Sequence, residues 1–231
     1  LETISHNLAN VSTPGFKTQH SILKARFASL IEGENVAQGQ GGIDDVGGGV
    51  EVQGTQTQFD LGPMRRTGNR TDFALHDANT FFVVQQDGQQ LLTRAGGFMF
   101  DSTGKLVNTS GLPVLDQSGN EIQIRPDQPF QVAQGGIIRQ GENSQSLMLA
   151  QPRSQGDLSR VGENLFKPMA EFDLATGNQR PVESGMLESS SVTPTQAMMQ
   201  LIDASRAYEA NVRMIQNQDH VTGSLISRIL K

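Results

Sequence analysis

The sequence predicts a mainly β protein with terminal helices: a compact antiparallel β domain is inserted between an N-terminal helix remnant and a long C-terminal coiled-coil helix. Three observations predict this fold class. An apolar stripe with helical spacing opens the chain, short apolar runs between turn signals fill its middle, and a proline-free heptad pattern closes it. The predicted divisions are 1–15 for the helix remnant, 16–60 for an irregular glycine-rich linker or extended segment, 61–185 for the β domain and 186–231 for the C-terminal helix, which pairs with the N-terminal helix.

The first twelve residues predict the end of a helix. Ile4, Leu8 and Val11 recur at helical spacing and form one apolar stripe. Thr13-Pro14-Gly15 follows, and a proline cannot continue a helix because it lacks the N–H donor. Since a helix of this length is marginal alone in water, we expect its N-terminal part to lie outside this sequence.

Residues 16–60 predict an irregular segment. Residues 16–31 carry apolar side chains compatible with either a helix or an extended chain, and the run that follows is rich in glycine and glutamine. Its glycines lack the Gly-Lys-Ser/Thr of a phosphate loop. Asp44-Asp45 lacks the alternating ladder of a calcium loop, so we interpret it as solvated linker.

The middle of the chain predicts short antiparallel strands. Apolar runs alternate with turn pairs such as Asp87-Gly88, Thr103-Gly104, Ser110-Gly111 and Ser118-Gly119, a pattern typical of a compact sheet or barrel. The predicted strands are 81–84, 91–93, 98–100, 106–107, 113–115 and 122–124, with further ones at 137–138, 147–150 and 165–168.

A long helix is predicted from Thr193-Pro194 to the last residue, with Thr193 as cap and Pro194 at the first helical position. Its length would be about 58 Å, which exceeds what the β domain needs for cover. Burial of seven apolar seam residues contributes roughly 10–20 kcal/mol, and ordering the backbone costs about 1–2 kcal/mol per residue, so the helix needs a partner. The predicted assembly interface comprises Ile4, Leu8, Val11, Met198, Leu201, Ile202, Tyr208, Val212, Ile215, Ile226 and Ile229.

Residues that carry chemistry are few. The chain has no cysteine, a net charge of −6 and four scattered histidines without metal-ligand spacing. No nucleophile elbow is present. We therefore expect no catalytic, cofactor-binding or metal site, and no nucleic acid, membrane insertion or small-molecule substrate. Arg65-Arg66 with Arg70 is either a salt-bridge cluster at the surface or between subunits, or an anion site.

Both ends of the chain resemble a known family. The segments ISHNLANVSTPGFK (4–17) and LESSSVTPTQAMMQLIDASRAYEANVRMIQNQD (187–219) are similar to the terminal signatures of flagellar basal-body rod and hook axial proteins. Between them, DFAL (72–75), FFVV (81–84) and TRAGGF (93–98) resemble the β-domain core of that family. The resemblance covers residues 4–30, 60–115 and 183–231 well and 120–180 weakly. It is closest to the rod subunits, the proximal rod protein first and the distal one next.

The resemblance implies a bacterial structural subunit that is exported unfolded, without a cleaved signal peptide, by type III export. It further implies helical self-assembly through the terminal helices with copies and other axial proteins, in the periplasm-spanning rod of the basal body, to transmit torque for motility. The alternative is a trimeric coiled-coil stalk with an adhesin-like β binding head. An enzyme on a β scaffold would need a convergent acid, base or metal constellation, which the sequence lacks. The glycine-rich stretch 33–54 is predicted to adapt subunit contacts.

Overall fold

The computed structural model describes residues 1–25, 50–162, 164–175 and 180–229, so Asp44-Asp45 and most of the predicted adaptable stretch lie outside the described residues. No helix in those ranges is both long enough and apolar enough to cross a membrane. The elements in chain order are helix α1 (Glu2–Ala9), strands β1 (Gln19–Ala25), β2 (Val50–Thr57), β3 (Met64–Arg66), β4 (Phe73–Leu75), β5 (Phe81–Gln86), β6 (Gln89–Thr93), β7 (Met99–Phe100), β8 (Leu106–Val107), β9 (Gln131–Ala133), β10 (Ile137–Gln140), β11 (Asn143–Ser146), β12 (Leu149–Pro152), β13 (Leu158–Gly162), β14 (Leu165–Pro168), β15 (Phe172–Leu174), β16 (Val182–Ser184) and β17 (Met186–Glu188), and helix α2 (Pro194–Ile229).

A six-stranded antiparallel sheet forms the centre of the β domain, with strand order β13-β14-β6-β5-β12-β15. Strand β5 is buried on both faces, which explains its continuous apolar run. Phe82 and Val84 belong to one hydrophobic cluster, whereas Phe81 and Val83 belong to another. Side chains that alternate across the sheet thus place β5 between two cores. The predicted mainly β fold with terminal helices is confirmed.

Three successive turns of the β domain share one side-chain device. Asp101, Asn108 and Asp116 each accept two backbone N–H bonds through their Oδ1 atoms, from the residues two and four positions later, at 2.8–3.0 Å. Short Asx side chains stabilise turns in this way. Each turn then places a glycine at φ of 80° to 82°, where a side chain is strained. These turns are three of those that the sequence predicted.

A two-stranded ladder occupies part of the predicted irregular segment. Strands β1 and β2 pair antiparallel from Gln19↔Thr57 to Ala25↔Val50, with a bulge between Ile22 and Leu23. The alternation of valine and threonine with polar residues in β2 indicates a strand. The prediction for this segment was an irregular linker or an extended chain, and over 50–57 the structure has the extended form as a regular strand.

The element boundaries at both ends also differ from the sequence prediction. Helix α1 ends at Ala9, three residues before the predicted end. Strand β17 occupies Met186–Glu188, at the start of the division predicted as the C-terminal helix. It pairs with β3 in a separate two-stranded sheet, so strand structure extends to Glu188 and α2 begins at Pro194.

Gly104 offers a test of how the repeated turns are packed. A Cβ atom at Gly104 would lie 2.0 Å from the carbonyl oxygen of Ile124. We expect Gly104→Ala to lower the free energy of unfolding by the roughly 1–2 kcal/mol of a left-handed alanine and by about 1–3 kcal/mol more for overpacking. Urea unfolding, monitored by circular dichroism, measures this decrease in the free energy of unfolding.

Gly119 is the matched control because its φ is also 82° and no atom lies within 4 Å of its Cβ position. Gly119→Ala should therefore show only the backbone strain, roughly 1–2 kcal/mol. Equal losses for the two variants would contradict the close approach of Ile124.

Candidate functional site

Helix α2 is the longest element of the described chain. It contains 36 residues, which corresponds to about 54 Å at about 1.5 Å per residue. Its start agrees with the prediction: the carbonyl of Thr193 accepts the N–H of Ala197 at 3.0 Å, and Pro194 occupies the first helical position, where its missing N–H costs nothing. The helix is therefore long, regular and free of internal proline.

Among the described residues, the chain covers α2 only at its base. Ala197 is buried and packs in a small cluster with Phe16 and Val192, against which Leu8 and Val11 are half-buried. From Met198 onward, nine large apolar side chains of α2 are between 50% and 61% exposed: Met198, Met199, Ile202, Tyr208, Met214, Ile215, Val221, Leu225 and Ile226. Burial of such side chains is worth about 1.5–3 kcal/mol each, so this exposure is costly unless something covers the helix.

The predicted interface residues fall into two groups in the structure. Ile4, Leu8, Val11, Leu201 and Val212 are half-buried, and helix α1 contacts helix α2. By contrast, Met198, Ile202, Tyr208, Ile215 and Ile226 are exposed, and Ile229 lies in α2 with its side chain outside the described residues. Leu8 and Val11 of the first group pack at the base of the helix, whereas Val212 lies about 27 Å from its start, and the second group is exposed.

The apolar surface of α2 covers more than one face. Met214 and Leu225 are each adjacent in sequence to a predicted seam residue, Ile215 and Ile226, so they point about 100° away from it. Val221 is a further exposed apolar residue between them. A helix that is apolar on several faces is typically surrounded by other helices. The predicted single seam therefore understates the apolar surface.

Helix α1 is tied to the start of the β1–β2 ladder. The side chain of Asn7 donates to the carbonyl of Gln19 at 2.8 Å and accepts its N–H at 3.0 Å. The chain then turns at Gly15, whose φ is 66°, and a Cβ there would lie 2.4 Å from the backbone of Arg94. The turn after α1 is thus pressed directly against the β domain.

A buried charged triad lies beneath this turn and was not predicted. Lys17 Nζ lies 2.7 Å from Glu188 Oε1, and Arg94 Nη2 lies 2.8 Å from Glu188 Oε2. The side chains are 0% or 1% exposed. Three of the five quoted family segments contribute one member each: the segment 4–17 ends in Lys17, the segment 93–98 contains Arg94, and the segment 187–219 contains Glu188.

The remaining polar atoms of the triad are also paired. The N–H of Gly62 donates to Glu188 Oε1 at 2.9 Å, and Arg94 Nε donates to Oε2 at 3.0 Å. Arg94 also donates to the carbonyls of Asp77, Thr80 and Leu75, and Lys17 donates to the carbonyl of Asp60. Buried charges are tolerated only with such pairing.

Burial is the largest influence on the two cations. It lowers the pKa of the Lys17 ammonium and that of the Arg94 guanidinium, because the charged forms lose their hydration. The carboxylate of Glu188 opposes this in both cases, by charge and by hydrogen bonding, and so raises each pKa. Glu188 therefore supplies the counter-charge that keeps both cations in the protein interior.

The other candidate residues do not converge on a reactive site. Arg65 and Arg66 line one shallow groove and Arg70 lines another, so the predicted basic cluster does not form one pocket. His76 pairs with Glu183 at the surface. Within the described residues, no group of three metal-binding side chains comes together.

Comparisons with known proteins agree with this geometry. A family described as "Flagellar basal body rod FlgEFG protein C-terminal" matches residues 183–228, and the "Flagellar hook protein FlgE/F/G D1 domain" family matches residues 77–140. The first match thus contains Glu188 and the whole described α2 up to residue 228, and the second contains Arg94.

Curated relatives extend the match along the whole chain. The "Flagellar basal-body rod protein FlgF" of Caulobacter vibrioides is 30% identical, covering 100% of this chain and 92% of the relative. Two relatives called "Flagellar basal-body rod protein FlgG" are similar over nearly the full length. That of Borreliella burgdorferi is 29% identical, covering 96% of this chain and 90% of the relative. That of Bacillus subtilis is 28% identical, covering 98% and 92%. The chain belongs to the flagellar basal-body rod protein family.

Proposed function

We propose that this chain is a rod subunit that assembles helically with copies of itself and other axial proteins through its terminal helices, and that the assembly transmits torque. Membership of the rod family makes the chain a structural protein of the flagellar basal body and not an enzyme. The proposal concerns how it assembles and what the assembly does. The observation that carries it is the exposed apolar surface of α2 beyond its base.

The proposed occupant of that surface is a set of helices from neighbouring subunits. Helix α1 already contacts α2 within the chain. Beyond that contact, exposed apolar side chains continue along α2 at Tyr208, Ile215 and Ile226. A helical partner can follow such a stripe along its length, because residues at this spacing present knobs that fit between those of another helix. The second apolar face around Met214 and Leu225 suits a further helix from another neighbour.

The mechanical part of the proposal rests on geometry. A helix about 54 Å long carries load along its axis, and side-by-side packing resists its bending. The β domain is built on a sheet that is buried on both faces of its central strand, so it can move with the helix as one body. Torque would then pass between subunits through the helices and between the helices and the outer β domains.

A trimeric stalk with a binding head is the alternative, and the rod relatives do not favour it. It would form a discrete trimer in solution, whereas a rod subunit adds neighbours without stopping at three copies. We further propose a proximal position in the rod, on the similarity of residues 194–198 to proximal subunits, with a distal position as the alternative.

The exposed apolar stripe can be tested with Ile215→Asp. Assembly would place this carboxylate against an apolar neighbour, which costs more than the roughly 1.5–3 kcal/mol of lost burial. Since about 1.4 kcal/mol corresponds to a factor of ten, we expect at least a tenfold loss of this subunit from isolated basal bodies. Immunoblotting of basal bodies and swimming in soft agar measure the effect in a strain with the variant as its sole copy.

Gln216→Asp is the matched control. It introduces the same residue, with the same charge and helix propensity, at the next position of the helix, where the native side chain is polar and exposed. Basal bodies with this variant should contain the normal amount of subunit. Normal incorporation and swimming of Ile215→Asp, with the variant stable in the cell, would refute the assembly role of the stripe.

The predicted adaptable segment yields a separate test. Removal of residues 38–49 should leave the unfolding midpoint of the β domain unchanged, because the segment lies between β1 and β2 and outside the six-stranded sheet. Swimming should nevertheless be impaired, since subunit contacts would lose their adaptable part. Normal motility of the deletion strain would exclude this role.

A further inference from the structure

The two segments that connect the β domain to the terminal helices each contribute a residue to the Lys17–Arg94–Glu188 triad. Lys17 follows the turn after α1, and Glu188 is the last residue of the strand that precedes α2. Arg94 follows strand β6 of the central sheet. A single carboxylate therefore holds the incoming segment, the outgoing segment and the β domain at one point.

Backbone contacts around the triad join the same three parts. The N–H of Gly15 donates to the carbonyl of Glu188 at 2.7 Å, and the N–H of Ser191 donates to the carbonyl of Phe16 at 3.0 Å. The hydroxyl of Ser191 also accepts the N–H of Thr18 at 3.0 Å. The two segments thus lie side by side as they leave the domain, and their pairing depends on where Glu188 is held.

The directional character of the triad matters because α2 acts as a lever. Residue 217 lies about 35 Å from the start of the helix, so a tilt of about 10° at the base moves it by roughly 6 Å. Apolar contacts tolerate small rotations, whereas paired charges with fixed hydrogen bonds favour one arrangement. A buried ionic cluster is weak evidence for stability, since apolar replacements are often as stable, and in some proteins such a cluster specifies one arrangement.

We propose that Lys17, Arg94 and Glu188 form a joint that fixes the direction of helix α2 relative to the β domain. This inference deepens the proposed function, since a rod that transmits torque needs each helix held at one angle to its β domain. It assigns a positioning role to three residues that lie away from the exposed apolar stripe. It also assigns no ligand to the cluster, because the carboxylate oxygens are occupied by protein donors.

The joint can be tested by measuring distances within single molecules. Because the chain contains no cysteine, spin labels can be attached at Gln90→Cys on the β domain and Asn217→Cys on α2, both exposed positions. Double electron–electron resonance is recorded with labelled chain diluted into unlabelled chain, so that only intramolecular distances contribute. The parent chain gives the reference width of the distance distribution, with which the variants are compared.

Glu188→Gln should broaden that distribution by several ångströms, since both cations lose their counter-charge and the segments are released. Lys17→Met is the second variant; it retains the Arg94–Glu188 pair and should give a smaller broadening with a folded domain. Glu183→Gln is the control, because Glu183 is another glutamate of the β domain whose partner, His76, is half exposed. It should leave the distribution unchanged.

A label pair within the β domain, Gln90→Cys with Glu142→Cys, reports whether the domain is intact. Unchanged width for the helix pair in Lys17→Met, with the domain pair also unchanged, would overturn the joint. Broadening in Lys17→Met of the helix pair alone would support it, even if Glu188→Gln fails to fold. The measurement is independent of assembly, so failure of the Ile215→Asp test would not affect it.

Discussion

One buried carboxylate must balance two buried cations, and the arrangement of both chain ends depends on it. Glu188 faces Lys17 on one oxygen and Arg94 on the other, with all three side chains inaccessible to water. Removing water from charges is expensive, so the two cations are tolerated only while Glu188 is in place. The three residues are far apart in sequence, and therefore the segments that carry them must dock together. The base of α2 and the turn after α1 follow from this requirement.

The exposed apolar surface of α2 has a different physical origin from the triad. Helix α2 carries apolar side chains along its whole length, yet the part of the chain that the structure describes covers only the first turns near Ala197. Exposed apolar surface of this extent marks a contact site in most proteins. Membership of the rod family gives this surface its natural interpretation, because a rod is built from many neighbouring subunits.

Local patterns predicted the fold class well. The repeated turns with glycine, the continuous FFVV run and the Thr-Pro start of α2 each have a local physical cause, and each appears in the structure. The β1–β2 ladder was missed because its strands are distant in sequence and its polar residues match a linker composition as well as a two-stranded ladder. The side chains of α2 that pack within the chain depend on its tertiary structure: Ala197 is buried and Met198 is exposed, and the interface role of Met198 stays a prediction.

The triad could not have been predicted from spacing, because no periodic pattern connects positions 17, 94 and 188. Each of these residues is charged, and a charged residue in isolation indicates an exposed position. The one available signal was that all three lie within the segments that resemble the rod family. Resemblance shows that the segments belong together, but only the three-dimensional structure shows that they meet in one ion pair network.

The two kinds of contact suit the two tasks that the proposed function sets. In the proposed assembly a subunit meets neighbours at several positions, so its outer contacts must accept small differences in alignment. Apolar surface does this because its attraction depends on the area removed from water and not on direction. The link between helix and β domain is the same in every copy, and there a directional ionic cluster is suitable. If apolar residues formed the joint, the tilt of α2 would be set by neighbours, and torque applied to one β domain would be lost in its own hinge before reaching the next subunit.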